Sequence, residues 1–192
     1  HAAHATARDH GAQVIGVSKF FFKPSNENIG VRMRGMFCSS PEDLKYTDTL
    51  GRIVMAKAVD VTWRELRASG YPAPVESAFA AVTGEASIEY QLAATLVDIE
   101  INYCGEGFDV TGSAWARLDW ELYSPRERRV VYRASHEGSV APAAKETTTL
   151  ALLFERAVAG SARSLFADPK FVEHATRRAV ALGKDAQASR LA

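Results

Sequence analysis

Cysteine is scarce in this chain of 192 residues: Cys38 and Cys104 are the only two, and they lack a Cys-x-x-Cys spacing. That excludes the paired-thiol motifs of zinc ribbons and thioredoxin-type redox centres. A run of 18 apolar residues is also missing, so no segment is long enough to span a bilayer as a helix. Charge of one sign is not in excess, because 23 Lys plus Arg balance 23 Asp plus Glu. A dedicated nucleic-acid binder carries a basic surplus, so that class is set aside. The glycine-rich dinucleotide fingerprint, the Gly-Lys-Ser/Thr phosphate loop and the Gly-x-Ser-x-Gly elbow are all absent. Phosphate cradling and nucleophilic catalysis therefore have no sequence signature, and neither cysteine sits in a catalytic context. No cofactor and no metal site are expected.

The chain opens on His-Ala-Ala-His without an initiator Met. We expect a processed or engineered piece of a longer product, in which a missing signal peptide says nothing about compartment. The two cysteines leave two readings open: a disulfide in an exported domain, or free thiols in a cytoplasmic one. Each lies just past an apolar, strand-like run, and strand ends can be neighbours. If bridged, the pair is worth roughly 4 kcal/mol on the chain-entropy model.

What is present supports a core, since 47% of residues are apolar. The length fits one domain over 11–180, with a flexible segment at 1–10 and a frayed tail at 181–192. His1, His4 and His10 fall in that first segment and are read as terminal rather than as metal ligands.

Strand signals start at once. Val14, Ile15, Val17 and Phe20 to Phe22 favour β structure, and Pro24 with Ser25 to Asn28 marks a turn. Ile29, Val31 and Met33 then alternate with Arg32 and Arg34, completing a first hairpin. Residues 38–48, with Pro41, read as a loop. Thr47 to Ser69 is a helix, capped by Thr47, Asp48 or Thr49 and closed by Gly70. Its apolar stripe of Leu50, Ile53, Val54, Ala58, Val61 and Leu66 packs on a sheet. Tyr71 to Ser77 form a loop leading toward a short strand.

From Ser87 to Tyr103 apolar residues alternate. They occupy one parity through Leu92, Ala94 and Leu96 and the other through Ile99 and Ile101. One extra residue near Val97 and Asp98 would flip the faces, which is a β-bulge. After a glycine-rich turn, Val110 to Val140 is a hairpin turned by Ser124 to Arg128. Its even positions, including Leu118, Trp120 and Leu122, are apolar. Its odd ones carry Trp115, Arg117, Asp119, Glu121 and Tyr123. Glu146 to Phe166 is a second helix, and Asp168 to Gly183 hold a short one. The fold class is α+β: a mostly antiparallel or mixed sheet with two amphipathic helices on one face.

The candidate binding residues are Trp115, Arg117 and Tyr123 on the outer sheet face. Asp98, Glu100, Asp119 and Glu121 read as a solvated charged face rather than as a glycosidase pair. His136 and His174 read as ordinary core or surface histidines. Arg126, Arg128 and Arg129 keep a hairpin tip soluble.

A pattern of core positions runs through Thr47 to Val172. A helix precedes a Tyr-x-Leu-x-x-x-Leu-x-Asp strand, seen in Tyr90, Leu92, Leu96 and Asp98. A hairpin follows with Trp120, Leu122, Ser124, Val130, Val131 and Tyr132, and a helix closes. This resembles small periplasmic α+β modules: the auxiliary lipoproteins of ABC-type envelope transporters and the amino-terminal domain of the Tol-system propeller protein. The chain departs from the lipoproteins in having no lipid-bearing Cys at its start, and the first hairpin is outside the pattern. The resemblance implies a non-enzymatic, periplasmic or otherwise extracytoplasmic domain that binds a protein partner in the cell envelope, with no membrane span and no nucleic acid. The rival readings are an accessory domain of an enzyme such as a peptidase, or a small-ligand module holding its ligand between helices and sheet.

Overall fold

The computed structural model describes residues 13–35, 37–72, 88–106, 109–141 and 149–176. The segments expected at 1–10 and 181–192, the short strand after the Tyr71 loop and the helical residues before Thr149 lie outside them. So do the side chains of Leu50 and Ile53.

The strands are β1 (Ile15–Phe22), β2 (Asn28–Arg34), β3 (Ser40–Lys45), β4 (Tyr90–Glu106), β5 (Asp109–Ser124) and β6 (Arg129–Val140). The helices are α1 (Asp48–Ala68), α2 (Leu150–Phe166) and α3 (Pro169–Thr176). The strands form one mixed sheet in the order β3-β2-β4-β5-β6, with β1 also on β4. The fold is α+β, as the periodicities predict, and the third helix is the short one after Asp168.

The expected first hairpin is not formed. β1 and β2 both run parallel to β4, one after the other: Ile15 pairs with Tyr90 through to Phe22 with Leu96, and Gly30 with Ile101 through to Met33 with Cys104. Between them the chain does not reverse. The Lys23 and Ser25 N–H groups donate to the Leu96 and Val97 carbonyls at 3.0 and 3.2 Å. The turn-forming residues instead carry the chain around a bulge on β4. Asn26 and Asn28 accept the Asn28 and Gly30 N–H groups on their side-chain oxygens, both at 3.0 Å. These bonds replace ladder partners the step leaves out. Gly30 has φ 141° and approaches so closely that a Cβ would stand 2.0 Å from the Ile101 oxygen, which only glycine tolerates.

The loop expected over 38–48 is partly a strand. β3 pairs antiparallel with β2, Met33 opposite Pro41. It is an edge strand, where a missing N–H is harmless.

The expected bulge is present: the β4–β5 register shifts between Leu96 and Asp98. Leu92, Ala94 and Leu96 before it and Ile99 and Ile101 after it are all buried on one side. Ala114, Ala116, Leu118, Trp120 and Leu122 of β5 join them. The lid is α1 with Val54, Ala58, Val61 and Leu66, and α2 with Leu153, Phe154, Ala157, Val158 and Leu165. α1 ends in a Schellman arrangement: Gly70 has φ 83°, its N–H donates to Arg67, and the Tyr71 N–H donates to Leu66. These bonds satisfy carbonyls that the helix end would strand. Thr149 caps α2, its Oγ1 accepting the Leu152 N–H at 3.1 Å.

Cys38 and Cys104 form a disulfide, with Cα atoms 5.7 Å apart. Of the two readings of the cysteines, the structure shows the bridge. It ties the β2–β3 connection to the far end of β4.

Candidate functional site

The helix-covered side of the sheet is packed. Between α1 and the sheet the apolar gap lined by Phe22, Ile29, Tyr46, Val54 and Ile101 holds about 10 Å³. That is at most one water's worth of space and too little for a ligand.

One polar cluster lies at the rim of this side. The Tyr132 hydroxyl donates to Asp168 Oδ2 at 2.9 Å. His136 Nε2 is 3.3 Å from that hydroxyl and 3.5 Å from the same carboxylate oxygen. Asp168 Oδ1 accepts the Lys170 N–H at 2.7 Å, so the carboxylate also caps α3. Burial pushes the His136 ring below its ordinary 6.5, outweighing the pull of Asp168. Burial opposes the Asp168 charge, yet hydrogen bonds from Tyr132 and the α3 backbone, with His136, hold it below 3.8. Burial and the Asp168 contact push Tyr132 well above 10.0. These contacts join the α2–α3 corner to β6. His174 packs against the same Tyr132, the ring centres 6.0 Å apart and the planes tilted by 57°.

The other side of β4, β5 and β6 is uncovered by any described element. Trp115 and Arg117 stand there two residues apart, both half-buried. Trp115 Nε1 donates to Glu137 Oε2 at 3.3 Å. Arg117 Nη2 reaches Asp98 Oδ2 at 3.5 Å, across the β4 bulge. Arg133 pairs with Glu121 at 2.7 Å, and the Ser135 hydroxyl donates to Asp119. Exposed pairs of this kind contribute little stability each. Tyr123 shares the face but lies at its other end, beside Gln91 of β4. Eight residues of strand separate it from Trp115, about 26 Å at the usual rise. The structure thus brings Trp115 and Arg117 together and leaves Tyr123 apart. Arg126, Arg128 and Arg129 stand exposed at the β5–β6 turn, with Arg129 bonded to Glu127.

Trp115 borders two open depressions. One, of about 440 Å³, is lined by Asn26, Asn28, Gly30, Asp98, Glu100 and Asn102. The other, of about 250 Å³, is lined by Glu100, Asn102, Ser113, Ser139 and Val140. Asn102 holds this floor: its Oδ1 accepts the Val31 N–H at 3.0 Å and its Nδ2 donates to Glu100 Oε1 at 2.6 Å. Sequence reasoning missed Asn26, Asn28 and Asn102 as site residues. The first two carried only a turn signal, and Asn102 carried only polar parity. Among the described residues, no group of three or more His, Cys, Asp or Glu side chains is placed to hold a metal. No described helix is long and apolar enough to cross a membrane.

No family model matches the chain, and no curated protein matches it. Several solved structures are similar in shape. One is a protein from Xanthomonas campestris assigned to the family model DUF330, 16% identical over 91% of this chain and 88% of that one, with a TM-score of 0.45. Another is a PelC dodecamer from Paraburkholderia phytofirmans, 12% identical over 80% and 88%, with a TM-score of 0.39. A third is a lipoprotein from Neisseria meningitidis, 12% identical over 73% and 90%, with a TM-score of 0.35. The similar structures thus include a DUF330 protein and a bacterial lipoprotein. None of the three is described as a transporter auxiliary lipoprotein or a Tol propeller domain. At such identities and scores the likeness is one of general shape and transfers no role.

Proposed function

We propose that this chain is a non-enzymatic accessory domain of the bacterial envelope, working outside the cytoplasm and docking another envelope protein on its outer sheet face. The observation that carries the reading is the division of the sheet. One side is buried under three helices, while no described element covers the side bearing Trp115, Arg117 and Tyr123. The disulfide supports an oxidising compartment. The motif resemblance to periplasmic modules supports the adaptor role, and a single domain over 11–180 is part of the same proposal. Docking here would use Arg117 and Tyr123 as contacts, since arginine and tyrosine give much of the energy of protein interfaces.

Site-specific photo-crosslinking in envelope preparations tests it. A benzophenone amino acid at position 123 is expected to give one discrete adduct that disappears on Arg117→Glu. The same group at position 164, on the exposed side of α2, is expected to give none. Equal adducts from both positions, or an adduct indifferent to Arg117→Glu, would overturn the docking face.

A further inference from the structure

We propose that the Trp115 end of the outer face is a binding site for an uncharged oligosaccharide. The proposal goes beyond protein docking and does not depend on it.

The first argument is the arrangement around one ring. Trp115, Glu100 and Asn102 line both depressions, so the two share a border at the indole. The pyrrole edge is turned to β6, where Nε1 donates to Glu137. A flat ring beside an open polar trough is the platform on which the C–H face of a pyranose stacks. Together the two depressions cross β2, β4, β5 and β6, from Asn28 in one to Ser139 in the other. At the usual strand spacing that is about 14 Å, long enough for more than one sugar ring.

The second argument is the hydrogen-bonding inventory. The side-chain oxygens of Asn26 and Asn28 are spent on backbone N–H groups. Their amide –NH₂ groups are therefore the ends left to a ligand, as donors. Glu100 gives one oxygen to Asn102 and has a second acceptor oxygen. Ser113 and Ser139 add hydroxyls that donate and accept. Donors and acceptors interleaved around a carboxylate suit the vicinal hydroxyls of a sugar, each of which both donates and accepts.

The third argument is charge. Asp98, Glu100 and Glu137 stand by the indole, and Arg117, two residues along β5, is bonded to Asp98. That balance repels uronate or sialate. A small cation would meet the carboxylates and the ring face, but it has no acceptor to offer the Asn26 and Asn28 amides. An uncharged saccharide uses every part of the lining.

The test is a titration followed on the indole N–H signals by ¹H–¹⁵N NMR, where Trp63, Trp115 and Trp120 report separately. The probes are cellotriose, maltotriose and N-acetylated chitotriose, with trigalacturonate as the anionic control and choline as the cationic one. At least one neutral trisaccharide is expected to shift the Trp115 signal saturably while the buried Trp120 stays still. Trp115→Ala is expected to weaken that binding at least tenfold. Glu100→Gln, which keeps the fold even if the first variant does not, is expected to weaken it severalfold at unchanged melting temperature. Saturable binding by none of the neutral probes overturns the proposal. So does trigalacturonate or choline binding as tightly as the best of them, or affinity untouched by Glu100→Gln.

Discussion

Gly138 of β6 and Gly160 of α2 touch backbone to backbone: a Cβ on Gly160 would stand 3.0 Å from the Gly138 Cα. The contact is tighter from the strand side, where a Cβ on Gly138 would lie 2.0 Å from the Ala157 carbonyl oxygen and 2.2 Å from the Ser161 nitrogen. Both are main-chain atoms, so a methyl there pushes the whole helix off the sheet. Gly138→Ala is expected to destabilise by about 3 kcal/mol, the upper end for overpacking. In a domain of this size that lowers the melting temperature by roughly 6–12 °C. Thermal unfolding by circular dichroism checks it, and Gly160→Ala should be the milder of the two.

Ser161 relays between the buried Trp120 indole and the β6 backbone. It accepts from Trp120 Nε1 at 3.0 Å and donates to the His136 carbonyl at 2.9 Å. Ser161→Ala strands the indole N–H inside the core, at a cost of roughly 1–3 kcal/mol. Urea unfolding should show a lower midpoint with an unchanged slope. Ser164→Ala on the exposed side of the same helix should stay within about 0.5 kcal/mol of the parent.

The Cys38–Cys104 bridge closes a loop with a sequence separation of 66. On the chain-entropy model its loss lowers stability by about 4 kcal/mol. Denaturant unfolding of the Cys38→Ser, Cys104→Ser double variant against the oxidised parent measures this. Thiol titration of the unfolded, unreduced parent should find no free thiol.

Stability should fall in acid in two stages. His136 titrates below 6.5 in the fold, so under that pH the unfolded chain binds a proton that the native state refuses, and unfolding gains. His136→Gln should remove this first stage. Asp168 is held below 3.8, so its contribution is present above that pH and is lost as pH drops through its folded value. On the alkaline side, burial pushes the Tyr71 hydroxyl up to about 12 and lifts Tyr132 further. The native state then keeps protons that the unfolded chain loses above 10.0, and stability falls again. Melting temperature recorded across pH gives all three limbs.

The parts of the fold legible in the sequence were those written in local parity. The even-numbered apolar residues of β5 are the buried ones, and the parity flip at Val97 is a real bulge. Gly70 marks the end of α1 because only its left-handed backbone closes the helix. The parts that escaped depend on partners far along the chain. Nothing between Phe22 and Asn28 reveals that both flanking strands lie along β4. Ser40–Lys45 shows no alternation because this edge strand turns only Leu44 toward the core. The candidate site was half visible for the same reason. Trp115 and Arg117 stand out by parity, whereas Asn26, Asn28 and Asn102 join them only after three strands meet.

The parallel pairing of β1 and β2 with β4 also sets an order of events. β1 ends at Phe22 and its partner begins at Tyr90, so the early strands have no sheet to join until the spine of the molecule exists. Only β2 and β3, neighbours in the chain, can zip together before then. Closing such distant pairs is slow. Val17, Phe20 and Phe22 of β1 thus stay without their strand partners until Leu92 to Leu96 have been made, the longest wait of any apolar stretch in the sheet.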